Sequence, residues 1–218
     1  MRGKRNPLDI ALSERWFLGG MTGSGKTTFA KQLLMEMRKL WPNPPLYVLD
    51  STNKGDFDNW PGIVEQDKPP APLRRPGDVQ IWQPRGNDLG AYDAWFTSIV
   101  DVRKPAIVLV DELASISNRS GDAVQGYQLL QKQGRGHNIC VISLSQEMAY
   151  IARQATNQAS HFVRFGFQAG EYDAKKANRM VGRPPVAEEP PHEHGFWYAR
   201  VNKRPVTPVY FDSFKTFF

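Results

Sequence analysis

Cysteine is nearly absent from this chain. Cys140 is the single one among 218 residues, so no disulfide can form within the chain. Set in an apolar run, it reads as a small buried hydrophobe rather than a reactive thiol. A reducing, cytoplasmic setting fits that usage. Long apolar runs are missing too: none approaches the ~20 residues that a membrane-spanning helix needs. The opening Met-Arg-Gly-Lys-Arg-Asn-Pro is basic, and no apolar stretch follows it, so no signal peptide is expected. Acidic residues are the minority charge. There are 22 of them against 28 Lys and Arg, a formal net charge of +6, with a pI of about 9.5. That balance favours a polyanionic partner such as nucleic acid. Apolar residues are not scarce. At 40% of the chain they exclude a disordered polymer, and the length suffices for one α/β domain with a substantial core.

Against these absences stands one dense motif. Gly20-Met21-Thr22-Gly23-Ser24-Gly25-Lys26-Thr27 fits G-x-x-x-x-G-K-[ST], the phosphate-binding P-loop or Walker A motif. Its context fits as well. Residues 15–19 before it read as a short buried strand. Thr28 to Leu40 after it reads as a helix, with Phe29, Leu33, Leu34, Met37 and Leu40 at helical spacing. Small residues let backbone N–H groups curl around a phosphate, and the following helix N-terminus adds partial positive charge. On this reading residues 20–28, Thr28 included, hold ATP. Lys26 reaches the β- and γ-phosphate oxygens, and Thr27 is a ligand to Mg²⁺.

A second motif supports the first. Ala106 to Val110 is a continuous apolar run of the kind that forms a strand buried on both faces of a parallel sheet. It ends in Asp111-Glu112, where a Walker B motif belongs. Asp111 would hold Mg²⁺ through water, and Glu112 would orient and polarise the attacking water. A carboxylate at that position points to a water-activating NTPase rather than a GTP switch.

The rest of the chain alternates strands and helices. Strands are expected at 46–50, 79–82 (an edge strand), 138–145 and 160–167. Helices are expected at 88–101, 122–133, 147–154 and 171–181. A long proline-bearing segment separates the strands at 46–50 and 79–82, and loops of that length are usually functional. Gly182 to His194 is a proline-rich loop, and 196–201 with 208–211 reads as a terminal hairpin. No internal repeat or domain boundary is evident. One domain, 1–218, is expected, with a basic arm (1–14), a core (15–182) and a C-terminal loop, hairpin and tail (183–218). Alternation of this kind implies a parallel sheet with right-handed crossovers. The strand at 138–145 is expected to lie between the P-loop and Walker B strands. That gives a three-layer α/β P-loop fold (RecA-like, of the ASCE division) with core strand order 5-1-4-3-2 plus edge strands, and ligands at the carboxyl ends of the strands.

The run from Gln131 through Gly134-Arg135-Gly136 to Gln146 resembles a segment of the FtsK/HerA superfamily, where Gly-Arg precedes a buried strand ending in Gln. Asp50 to Phe57, Asp-Ser-Thr-Asn-Lys-Gly-Asp-Phe, resembles that superfamily's Asp after strand two with a Gly-acidic-aromatic triplet behind it. Residues 151–182 resemble its last strand and helix. The resemblance covers roughly residues 15–182. The chain's small size and bare core are similar to the genome-packaging ATPases of tailless icosahedral, membrane-containing viruses. The resemblance implies that Gln146 is the γ-phosphate sensor and Arg135 an arginine finger acting on the adjacent subunit. The residues alone leave other readings open. Gln146 can be a polar strand cap, Arg135 a solvated arginine at a helix end, and Asp50 the start of a turn. Arg119, Arg153 and Arg164 are rival fingers.

The resemblance further implies an ATPase that translocates double-stranded DNA as a homo-oligomeric ring, with capsid or virion vertex proteins as further partners and no membrane span. A small nucleotide or small-molecule kinase is the first alternative, although no arginine-rich lid is evident. A phage assembly ATPase resembling the Zot group is the second, although that group carries a membrane segment. Ser143 to Glu147 is not the signature peptide of an ABC transporter. Three weaker features remain. The His192-Glu193-His194 stretch reads as solvent-exposed rather than metal-binding. Lys175, Lys176, Arg179 and Arg183 form a basic patch that is either a solvated face or a phosphate-backbone contact. The aromatic tail, Tyr210 to Phe218, docks on the body or on a neighbour.

Overall fold

A computed structural model describes residues 10–118, 120–146, 153–166, 190, 192–200 and 206–218. The expected basic patch at 175–183, Arg119, the side chain of Arg153, the helix at 171–181 and most of the proline-rich loop lie outside the described residues. So does most of the N-terminal arm.

The apolar runs of the sequence become the central strands. β1 (Arg15–Gly19), β2 (Leu46–Leu49), β5 (Ala106–Val110), β6 (Ile139–Ser145) and β7 (His161–Arg164) are buried along their whole length. Burial on both faces is what a near-continuous apolar strand specifies. Successive side chains alternate between the two faces. Ile107 and Leu109 of β5 pack with α1 (Lys26–Leu40), whereas Val108 and Val110 pack with α2 (Leu89–Asp101) and α3 (Gln125–Gln133). The result is three layers: helix α1, the sheet, and helices α2 and α3 with the short α4 (Arg153–Gln158).

The sheet has nine strands in the order β3-β4-β2-β5-β6-β1-β7-β8-β9. Its five core strands read β7-β1-β6-β5-β2, which is the expected 5-1-4-3-2. β6 runs parallel between β1 and β5. Two strands extend the sheet on each side. Beyond β2 lie β4 (Val79–Gln83) and then β3 (Ile63–Glu65), both parallel. Val79 to Trp82, expected at the edge, is therefore one strand in from it. β3, inside the proline-bearing segment, takes the edge. Beyond β7, the expected hairpin of β8 (Phe196–Arg200) and β9 (Val209–Phe211) adds antiparallel strands.

The amino end of β1 is fixed by a buried ionic knot. Glu14 accepts from the Ala11 amide (3.0 Å) and from Arg200 Nη2 (2.8 Å), and its Oε2 lies 2.8 Å from His161 Nε2. His161 stacks on Trp16 with ring centroids 3.9 Å apart, and its Nδ1 is 2.9 Å from the Tyr198 hydroxyl. Burial alone would raise the Glu14 carboxyl, but the His161 hydrogen bond and charge, the Ala11 amide and Arg200 outweigh it and hold it at about 2. Cys140 is buried in β6, and desolvation pushes its thiol up to about 12, which leaves it inert.

Candidate nucleotide site

Parallel strands deliver the chemistry to one edge. β1, β5 and β6 all end at the same side of the sheet, where Gly19 is in register with Ser145, and Val110 with Ser143. The P-loop leaves β1 there, Asp111 and Glu112 leave β5, and Gln146 leaves β6. Three separate sequence signals thus converge because the chain order of the strands differs from their spatial order.

The loop is anchored before it curls. The Gly20 amide donates to Ser145 O (3.2 Å), and the Met21 amide donates to Gly166 O (2.8 Å). These two residues tie the loop to β6 and to the segment after β7, which leaves the phosphate cradle to residues from Thr22 onward. Gly20 must be glycine, because a Cβ there would stand 2.6 Å from the Phe165 Cβ. Gly25 caps α1 at φ 98°, a left-handed conformation that glycine adopts without strain. A cavity of ≈ 480 Å³ opens over this loop, bounded by Lys26, Thr27 and Thr28 on one side and by Thr52, Asp111 and Gln146 on the other.

Inside the cavity the side chains are already linked. Thr27 Oγ1 lies 3.5 Å from Asp111 Oδ1, and the Thr52 hydroxyl donates to Asp111 Oδ2 at 2.9 Å. Lys26 Nζ donates to Met21 O at 2.7 Å. Glu112 accepts three bonds: from the Ala114 amide (3.2 Å), the Ser145 hydroxyl (3.3 Å) and the Gln146 amide (3.3 Å). The Thr22 hydroxyl donates to Gln146 Oε1 at 2.5 Å.

Burial sets the electrostatics. Desolvation holds Asp111 up to about 6, despite the Thr52 hydrogen bond, and nearby Asp50, Asp56 and Glu112 add to the rise. Glu112 is also raised by burial, and its amide and hydroxyl donors together with Lys26 only partly offset this. Desolvation lowers Lys26 to about 8 against the pull of Glu112 and Asp111. Titratable groups shifted by burial and gathered at one cleft mark a candidate functional site.

The residues fit a magnesium nucleotide. A threonine hydroxyl and a carboxylate converge as hard oxygen ligands, the donor set that Mg²⁺ takes from protein while completing its shell with phosphate oxygens and water. Among the described residues no cluster of three His, Cys, Asp or Glu is placed to hold a metal by itself.

The other expected residues divide. Asp50 is fully buried and starts a turn: it accepts from the Asn53 amide (3.1 Å) and from Gln83 Nε2 (2.8 Å), so the turn reading holds and it does not line the cavity. Arg135 is exposed in the 3-10 turn Gly134–His137 before β6. That is the amino end of the sheet, and the seven-residue β6 separates it from the P-loop by roughly 20 Å. Arg164 is fully buried in β7, in register with Gly19, and so presents no side chain to another subunit. Sequence reasoning passed over Thr52, Lys54, His194 and Phe214 as cavity residues. A signal for the first two was present, since they sit in the Asp50 to Phe57 stretch already singled out. His192, Glu193 and His194 are exposed, as expected.

No protein-family model matches the chain, and no curated protein matches it in sequence. Solved structures do match. The genome packaging NTPase B204 from Sulfolobus turreted icosahedral virus 2, in complex with ATP-γS, superposes with a TM-score of 0.71 at 10% identity, covering 91% of this chain and 98% of that one. VirB4 of Thermoanaerobacter pseudethanolicus gives 0.65 at 9% identity, covering 94% and 92%. The pCW3 conjugation coupling protein TcpA, with ATPγS, gives 0.64 at 16% identity, covering 93% of this chain and 61% of that one. Among the described residues no helix is long and apolar enough to cross a membrane. The chain therefore has the same P-loop α/β fold as these three structures, the genome packaging NTPase B204 among them.

Proposed function

We propose that the chain hydrolyses ATP to ADP and phosphate and uses the reaction to move double-stranded DNA, as the packaging motor of a virus working as a homo-oligomeric ring. The observation that carries this reading is the meeting of Lys26, Thr27, Asp111 and Gln146 around one cavity, with Glu112 bonded to the Gln146 amide behind it and β6 between the two Walker strands.

The amides of residues 22–27 and the amino end of α1 cradle the phosphates. Lys26 neutralises the β- and γ-oxygens. Thr27 and Asp111 would hold Mg²⁺, which would supply further neutralisation of phosphate charge. Glu112, held above its ordinary range by burial, is suited to accept a proton from the attacking water. Gln146 reads the γ-phosphate from the end of β6. Its backbone amide already bonds Glu112 and its side chain meets Thr22, so a shift on either side is felt by the other. Arg135 lies too far from its own subunit's P-loop to act there, and it is exposed where a neighbour can receive it. It serves as the finger in a head-to-tail ring. The excess of cations favours the phosphate backbone of duplex DNA without sequence preference. Capsid or vertex proteins would tether such a ring to the virion, from the host cytoplasm.

The test is the ATPase rate of assembled protein against duplex DNA concentration, at low and moderate salt. Stimulation that weakens steeply with salt is expected. A rate indifferent to DNA, together with phosphate transfer to a small acceptor, would replace the motor with a kinase.

A further inference from the structure

Two chemically distinct groups of residues line the cavity. Lys26, Asp111 and Gln146 belong to the first. The second is His194, from the turn before β8, and Phe214, from the tail after β9. Neither belongs to a nucleotide-binding motif, and both arrive from the last 25 residues of the chain.

Packing fixes both. A Cβ placed on Gly25 would lie 3.7 Å from His194 Nδ1, so the imidazole sits one side-chain layer from the glycine that caps α1. The next residue, Gly195, allows no side chain, because a Cβ there would collide with the Tyr210 hydroxyl. The turn is thereby clamped to β9. The tail beyond β9 is pinned by rings. Phe217 and Phe218 lie 5.3 and 5.2 Å from Phe29, one turn along α1 from Lys26. Phe211 stacks on Phe196 at 5.5 Å. Phe214 packs against the same core as these three, and unlike them it also lines the cavity.

We propose that Phe214 and His194 form the nucleobase subsite, with the base lying against these rings while the triphosphate runs to Lys26. The proposal rests on the ATPase reading of the same cavity and gives the aromatic tail a ligand-binding role. Stacking on an aromatic face is tolerant of base identity and grows with ring overlap. Purine triphosphates should therefore bind more tightly than pyrimidine triphosphates.

The test compares ATP with inorganic tripolyphosphate, which carries the phosphates without a base, by calorimetry on the full chain. Phe214→Ala and Phe214→Leu should each weaken ATP about tenfold, the scale of a lost stacking contact. Phe214→Trp should retain wild-type affinity, and His194→Ala should weaken ATP to a smaller degree. Tripolyphosphate should bind all four variants as it binds the wild type, which also reports that the P-loop is folded. Equal losses for ATP and tripolyphosphate would mean that the tail only props the loop, and would overturn the subsite. Unchanged ATP affinity in Phe214→Ala would overturn it as well. Wild-type protein that binds tripolyphosphate as tightly as ATP would remove the subsite while leaving the phosphate site standing. Failure to bind either would overturn the phosphate reading, and this one with it.

Discussion

The Thr22 hydroxyl donates to Gln146 Oε1 at 2.5 Å, a bond that joins the P-loop to the end of a strand 124 residues later in the chain. Gln146 is also tied to Glu112 through its amide. That double attachment supports the proposed role of Gln146 as a γ-phosphate sensor. Gln146→Ala should keep the ATP dissociation constant within about twofold while turnover falls at least tenfold, because the lost contact serves the reacting phosphate. Steady-state kinetics beside equilibrium binding check this. A change confined to binding would make Gln146 a plain contact.

Glu112→Gln should bind ATP and hydrolyse it about 10²–10⁴-fold more slowly, since the amide keeps the shape and loses the base. Lys26→Ala should abolish turnover with an unchanged circular dichroism spectrum. Loss of ATP binding in Glu112→Gln would exchange its role with that of Asp111.

Asp111 carries a stability cost. In the folded protein it keeps its proton up to about 6, against an ordinary value of 3.8. Between those values the native state binds more protons than the unfolded chain, so stability falls as pH rises across that window and stays lower above it. Asp111→Asn should therefore raise the melting temperature by a few degrees at pH 7.5 without nucleotide, an effect of about 1–2 kcal/mol. The same change should abolish Mg²⁺-dependent turnover. For the wild type, Mg·ATP affinity should drop as pH falls below about 6. A lower melting temperature in Asp111→Asn would contradict the burial argument.

Arg135→Ala should fold, bind ATP and hydrolyse it poorly. If the finger acts in trans, mixing Arg135→Ala with Glu112→Gln subunits should restore some activity, because mixed interfaces contain one intact pair. Co-assembled mixtures that stay inactive would assign Arg135 a structural role.

The Glu14 knot makes an acid-sensitivity prediction. Its carboxyl is held at about 2 instead of 4.5, so its contribution is full above 4.5 and is lost as pH falls through about 2. Glu14→Gln should destabilise the protein by about 2–3 kcal/mol at pH 7, leaving half-buried Arg200 without its anion and buried His161 without its carboxylate partner. Denaturant melts at pH 7 and pH 3 should show the gap narrowing at the lower pH. A constant gap would show that the charge is not what matters.

The readable parts of the site were local in sequence. Residues 20–27 form one continuous motif, and Asp111 and Glu112 end an apolar run too long and too branched to be a loop. The position of β6 could be inferred from its apolar length and its terminal Gln146. β3 was not readable: it has three residues, flanked by proline and glycine, and it exists because β4 offers it a parallel partner. Thr52 reaches Asp111 only because β2 and β5 are adjacent. His194 and Phe214 reach the cavity only because β8 and β9 carry the tail back over α1. Local pattern carries no information about such returns.

β1 pairs with β6 through Arg15 and Val141, and with β7 through Trp16 and His161. On the ribosome β1 therefore waits for both its neighbours. All the chain from Gly20 to Arg164 must emerge before the loop that follows β1 is flanked by β6 and β7. Until then Trp16, Phe17 and Leu18 remain unburied in a nascent chain synthesised at roughly 5–20 residues per second, an interval of many seconds. That delay makes this segment the natural point of attack for chaperones and of failure by aggregation, and it makes overproduction sensitive to temperature and translation speed rather than to the stability of the finished protein.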